Sequence, residues 1–326
     1  MRKTHIEMTF PYILGLLETD GSFHILFKKD PRMPLKYRIQ PEVQWSQKNV
    51  NLLRSVQRFL LQMGIRSKFK NDPGNAKTSR APVLKIEGIA ECQRFLLSIK
   101  EWAESSRCPP LYGCKYVDYL LMQGLYSIIE SGAHNTLTGR QQVLDLKFHL
   151  HLPPRALNTL QHPLFSGKKG KTGIVQGGQL SREIWEERQG VPNSRGKGWI
   201  FIDRVHKEYM AFAKELLKNP KKLHSDFFSG VLEGDGYIYA KSNKPPRFSI
   251  VAERGSELLL FAISSTLGDC KPCFYDRGSY TIYMAARVEL LLNLHTHLQK
   301  HPILFKETGL LEFTRWGKGK VTVYNV

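Results

Sequence analysis

Two stretches of this chain repeat each other, and no other feature constrains its architecture as much. The first reads Tyr12-Ile-Leu-Gly15-Leu-Leu-Glu18-Thr-Asp20-Gly21 and the second Phe227-Phe-Ser-Gly230-Val-Leu-Glu233-Gly-Asp235-Gly236. Each sets a glycine inside an apolar run, then a glutamate, a small residue and an Asp-Gly pair. Self-similarity at a fixed spacing marks a chain built from copies of one unit.

The residues downstream of each motif repeat as well. Tyr37–Ser46 alternates, with Ile39, Val43 and Trp45 on one side and Arg38, Gln40, Glu42, Gln44 and Ser46 on the other, as a half-buried strand requires. Leu52, Leu53, Val56, Phe59, Leu60 and Met63 recur at helical steps, and Gly64 closes that helix. Strands at Ser67–Asn71 and Val83–Glu87 flank a Pro73-Gly74 turn, and a helix at Ile89–Lys100 comes next. In the second unit, strands are expected at Tyr237–Lys241 and Arg247–Ala252. A helix at Glu257–Leu267 is closed by Gly268, strands at Phe274–Tyr275 and Ser279–Ala285 flank an Asp-Arg-Gly turn, and a helix covers Arg287–Lys300. The expected fold is α+β, with two pseudo-symmetric αββαββα halves that each carry a four-stranded antiparallel sheet. Residues 8–155 form the first half, 156–222 a basic connection and 223–326 the second half.

The chain has 326 residues, with 48 Lys and Arg against 29 Asp and Glu, a net charge of +19. Such a surface attracts polyanions through counterion release, which points to nucleic acid. The stretch 156–225 adds to this, holding 13 Lys and Arg against 6 Asp and Glu. Its Lys168, Lys169, Lys171, Arg195 and Lys197 are expected to lie along phosphates. No apolar run is long enough for a membrane span, and the first residues have no signal-peptide core, so a secreted or membrane protein is not expected. Five cysteines fit a reducing compartment. Cys270-Lys-Pro-Cys273 has zinc-ligand spacing but no second pair to complete a site, and is read as a turn.

The motif runs have helical period. Pro11 suits a first helical turn, and Ser225 or Asp226 can cap the second motif helix. Gly15 and Gly230 fall mid-helix, where glycine costs about 0.5–1 kcal/mol against alanine. A cost repeated at the same place in both halves is explained if the two helices pack backbone to backbone. Their C-terminal ends then coincide, and Asp20 meets Asp235. Two carboxylates so placed raise each other's pKa, and a divalent cation relieves the repulsion.

With these motifs the chain resembles a double-motif LAGLIDADG homing endonuclease. Ile13–Gly21 and Phe228–Gly236 match the signature at its Gly, acidic, Asp and Gly positions. The resemblance implies two motif helices at the interface of two halves, sheets that form a saddle in the DNA major groove, and metal bound by Asp20 and Asp235. By the same resemblance Gln47 and Glu253 are polar, water-organising residues at strand ends. Lys115 and Lys306 then stabilise charge on the scissile phosphates. Glu18 and Glu233 are read as bracing residues. Arg38, Gln40, Gln44, Lys68 and Lys70 of the first half and Tyr239, Lys241, Arg247, Ser249 and Arg277 of the second are the expected DNA-reading residues, their difference suiting an asymmetric target.

The implied activity is site-specific cleavage of both strands of double-stranded DNA, with Mg²⁺ as cofactor, Mn²⁺ as its substitute, and a monomer as the active form. A second reading is an intron-encoded maturase whose partner is host intron RNA. Synthesis in a chloroplast, a mitochondrion or a bacterial cytoplasm fits the family.

Overall fold

The computed structural model describes residues 8–33, 35–70, 81–151, 198–241, 244–253, 255–269, 272–276, 280–304, 306 and 309–324, with the backbone alone at 198–200, 241, 244, 273, 276 and 320–324. The expected Pro73-Gly74 and Asp-Arg-Gly turns, the basic stretch at 168–197 and Cys270 lie outside the described residues.

The first motif forms α1 (Phe10–Asp20), with proline in its first turn. Strands β1 (Gly21–Lys29) and β2 (Tyr37–Ser46) come next, then α2 (Val50–Gln62), β3 (Lys68–Lys70), β4 (Val83–Glu87) and α3 (Ile89–Ser106). The sheet order is β1-β2-β4-β3, antiparallel throughout. Phe23, Ile25, Ile39, Val43, Trp45, Leu84 and Ile86 face inward and are buried, with the Trp45 ring edge-on to Phe95 of α3 at 5.6 Å. Period-two alternation thus leaves the opposite face of the sheet for other uses.

Strand β1 has no counterpart among the segments expected from sequence pattern, nor have α4 (Cys114–Glu130) and α5 (Leu137–His149), which extend the first half beyond the expected αββαββα unit. Val117, Leu120, Leu121 and Leu125 carry the helical spacing of α4 and are buried. The Thr136 hydroxyl accepts from Gly139 N and caps α5.

Helix α6 (Gly198–Lys218) packs on α4, α5 and the helix after the second half's first hairpin, and so touches both halves. Its buried Tyr209 hydroxyl lies 3.4 Å from Tyr112 O and 3.5 Å from Gly255 O, one carbonyl from each half.

The second motif forms α7 (Ser225–Asp235), succeeded by β5 (Gly236–Lys241), β6 (Lys244–Glu253), α8 (Glu257–Thr266), β7 (Cys273–Asp276), β8 (Tyr280–Ala285), α9 (Val288–Lys300) and α10 (Leu310–Tyr324). Its sheet order, β5-β6-β8-β7, repeats that of the first half. Neither Ser225 nor Asp226 caps α7: the His224 ring accepts from Asp226 N, while the Asp226 carboxylate accepts from the Thr9 hydroxyl. Helix α10 is a further addition to the expected unit. It begins after Gly309, whose φ of +73° and close approach to Ile238 O suit only glycine. No helix among the described residues is long and apolar enough to cross a membrane.

The halves join where α1 lies along α7. A Cβ added to Gly15 would stand 2.1 Å from Phe227 O and 3.0 Å from Gly230 Cα, and one on Gly230 would stand 2.1 Å from Tyr12 O. Each helix therefore fills the space that the other's missing side chain leaves.

Candidate active site

Because α1 and α7 cross at matching glycines, their C-terminal ends arrive together. Asp20 ends α1 and Asp235 ends α7, and both line one pocket of about 390 Å³. The ends of β2 and β6 also reach it, through Ser46, Ala252 and Glu253. A helix C-terminus carries partial negative charge, so a carboxylate there is opposed by the dipole as well as by its neighbour. Burial and the Asp235 charge push Asp20 up to about 7, against smaller lowering by Gln47 and Lys306. Asp235 is exposed as a residue, yet the protein crowded around its carboxyl raises it to about 6 by burial, with Glu253 adding to the rise and Lys306 opposing it. Two carboxylates that interact in this way give up their protons in steps that belong to the pair.

The polar residues expected here come together unequally. Gln47 donates from Nε2 to Asp20 Oδ2 at 2.7 Å, and its Oε1 accepts from Lys48 N, so the amide is held at both ends. Glu253 makes no such bond to Asp235; its Oε1 accepts from Lys115 Nζ at 3.3 Å. Lys115 is buried in the first turn of α4, and although burial opposes its charge, Asp118 and Glu253 hold its pKa above the usual lysine value. Lys306 Nζ lies 2.8 Å from Gly234 O and 3.3 Å from Glu233 O, a cation set against the negative end of α7. Burial pulls its pKa down, while Glu233, Asp235 and Asp20 pull the other way.

The motif glutamates act as hydrogen-bond acceptors, and Glu18 also lines the pocket. Glu18 accepts from Tyr112 N at 3.0 Å and Gly113 N at 2.7 Å, and Glu233 accepts from the Tyr12 hydroxyl at 2.8 Å and Leu304 N at 2.7 Å. Glu18 fixes the segment that delivers Lys115, and burial raises its pKa to about 7. Glu18→Ala leaves two buried N–H groups without acceptors, so we expect a loss of about 2–4 kcal/mol in denaturant unfolding. Glu18→Gln, which keeps one acceptor oxygen, should lose less.

The expected DNA-reading residues are divided by the fold. Arg38, Lys68 and Lys70 are exposed, with Lys68 paired to Glu87 at 2.6 Å, and Gln44 is half-buried opposite Ser22 and Lys85. Gln40 is a correction: it is buried, donates to Glu42 Oε1 at 2.9 Å and accepts from Arg38. The cause is Glu42, itself buried on the face expected to be solvated and held by Lys85 Nζ at 2.5 Å and Lys28 Nζ at 3.6 Å. A buried carboxylate must collect such partners, and Gln40 is one of them. In the second half Arg247 is exposed opposite Tyr239, and Ser249 lies opposite Tyr237 and Met284. The Lys241 side chain and Arg277 lie outside the described residues. Glu42 and Lys85 each sit on a strand legible from its sequence, but nothing local announces that they pair across β2 and β4.

Residues 13–85 match the family model described as LAGLIDADG endonuclease. No curated protein sequence matches the chain significantly. Among solved structures, the fold is similar to the LAGLIDADG meganuclease I-CpaMI bound to uncleaved DNA, with a TM-score of 0.61 and 16% identity over 96% of this chain and 92% of that one. It is similar to the homing endonuclease I-GzeII in complex with its DNA target, with a TM-score of 0.61 and 14% identity over 98% and 91%. It is similar also to I-SmaMI bound to an uncleaved DNA target in the presence of calcium ions, with a TM-score of 0.58 and 16% identity over 97% and 92%. With a LAGLIDADG endonuclease segment at residues 13–85 and this architecture over nearly its whole length, the chain has the fold of the double-motif LAGLIDADG meganucleases.

Proposed function

We propose that this chain is a site-specific endonuclease that cuts both strands of a long, asymmetric DNA target with a divalent metal, Mg²⁺ foremost, and that it acts as a monomer. The observation that carries this reading is the meeting of Asp20 and Asp235, one from each motif helix, in a single pocket reached by the ends of both sheets. The DNA in the similar structures and the net charge of +19 support a duplex as substrate.

The donor set fits a hard cation. Both groups are carboxylates with raised pKa values, at helix ends where a positive charge is favourable. Among the described residues no three His, Cys, Asp or Glu side chains gather into a metal-holding group, so phosphate oxygens and water would complete the coordination of an ion held by Asp20 and Asp235. When bound, such an ion supplies activated water and stabilisation of the leaving oxygen. Gln47 orients the Asp20 carboxylate. Lys115 and Lys306 bring positive charge beside the scissile phosphates, and Glu253 positions Lys115. The two halves present different side chains at matching cross-strand pairs, Gln44 with Lys85 in the first and Ser249 with Met284 in the second, as an asymmetric target demands.

The test uses the full chain, a library of randomised duplexes and Mg²⁺, with recovery of cleaved ends. We expect one long non-palindromic consensus, cut on both strands, and no products in EDTA. Sedimentation should place the activity in the monomer peak. Absence of cleavage with Mg²⁺ or Mn²⁺, or cleavage confined to a dimer, would reject the reading.

A further inference from the structure

The open faces of the two sheets differ in kind. In the second half, burial of Phe248, Ile250, Ala252, Tyr283 and Ala285 turns the alternate residues of β6 and β8 outward. Val251 is 40% exposed, Tyr280 is 40% exposed and Tyr275 on β7 is 45% exposed, while Ile282 and Met284 are half-buried between them. Register makes this a continuous strip: Val251 lies opposite Ile282, Tyr275 lies opposite Ile282 on its other side, and Ser249 lies opposite Met284. The strip begins beside the pocket, because Tyr280 lies opposite Glu253. The open face of the first sheet instead carries Gln44, Lys68 and Glu87 around the buried Lys85–Glu42 pair.

Resting on the endonuclease reading, we propose that the second half selects a thymine-rich half-site through Val251, Ile282 and Met284, with Tyr275 and Tyr280 as flanking contacts. Continuity with the acidic pocket and the strongly positive chain make a DNA duplex the occupant of this face. In the major groove only thymine presents a methyl group, and apolar side chains discriminate by covering it. Apolar side chains offer no hydrogen-bond partner to any base edge, so their discrimination rests on covering that methyl. The first half, with amide and ammonium groups, reads by hydrogen bonds. The second sheet adds to its methyl-covering strip the polar Arg247 and Ser249 on the same face of β6, whereas the first sheet has no such strip among the described residues.

The experiment is a binding selection with the full chain on randomised duplexes in Ca²⁺, then replacement of thymine with deoxyuridine in the winning sequence. Deoxyuridine keeps every hydrogen-bonding group and removes only the methyl. We expect one half-site to be rich in A·T pairs with thymines toward the protein, and a loss of roughly three- to fourfold in affinity per methyl removed there. Val251→Ser with Ile282→Ser should weaken the preference and the deoxyuridine penalty in that half-site alone, leaving the salt dependence of binding unchanged. An enriched sequence insensitive to deoxyuridine in both halves would overturn the inference while leaving site-specific binding intact. Failure to enrich any sequence would reject the endonuclease reading, and this inference with it. The deoxyuridine arm uses the unaltered chain, so it does not depend on the variants folding.

Discussion

Asp20→Asn and Asp235→Asn, each alone, are expected to lower double-strand cleavage by about 10³-fold or more while leaving DNA binding intact or slightly tighter. Either change removes one carboxylate from the pair proposed to hold a divalent ion, and an ion at the scissile phosphate is worth several kcal/mol of transition-state stabilisation. Neither change removes positive charge, so the phosphate contacts persist. The same substitution carries a stability signature that does not depend on activity. The Asp20 carboxyl titrates near 7 in the folded chain against 3.8 as an ordinary carboxyl. Between those values the native state holds more protons than the unfolded one, so stability falls as pH rises through that window. Asn at this position lacks the penalty. The variant should match wild type below about pH 4 and exceed it above pH 7 by about 2 kcal/mol, the full linkage value being reduced by solvent at the pocket mouth. Thermal melts at several pH values without metal measure this, and Mg²⁺ should stabilise wild type above pH 7 but not the variant. Equal melting across the range would show that Asp20 is not strained by its neighbours.

Much of this architecture is legible in the sequence because the repeat is long and each clue is local. The Gly and Asp positions of the motifs, the alternation in β2 and the helical spacing in α2 are short-range patterns with one physical reading each. The features that escape such reading depend on distant partners. Strand β1 does alternate, with Phe23, Ile25 and Phe27 inward, but Leu26 between them and Lys28 and Lys29 at its end blur the pattern. Helices α4 and α5 lie after the repeated unit, so the repeat offers no template for them. Gln40 defies its strand pattern because its environment is set by Glu42 and Lys85, and Lys85 lies on another strand. The inequality between Gln47, bonded to Asp20, and Glu253, bonded to Lys115 from the other half, arises only when both halves are in place.

Gly15→Ala and Gly230→Ala test that joining directly, and both are expected to be severe. In an isolated helix the change would help, since alanine is favoured over glycine by about 1 kcal/mol. Here the new Cβ would lie 2.1 Å from a backbone carbonyl oxygen of the facing helix, Phe227 O in one case and Tyr12 O in the other. A backbone carbonyl cannot rotate away as a side chain can, so the helices must part. Overpacking of this kind costs about 1–3 kcal/mol even where side chains can give way, and more where they cannot. We expect a net loss of about 3 kcal/mol and a fall in melting temperature of about 4 °C for each variant. Parting the helices also separates Asp20 from Asp235 and pulls the Tyr12 hydroxyl from Glu233, so cleavage should fall with stability. The double variant should lose less than the sum of the singles, because the first Cβ already makes room for the second. Gly319→Ala in α10, where nothing lies within 4 Å of an added Cβ, supplies the contrast: there the helix propensity acts alone and the chain should become slightly more stable. If the two motif-glycine variants behaved like Gly319→Ala, the backbone contact between α1 and α7 would not be what holds the halves in register.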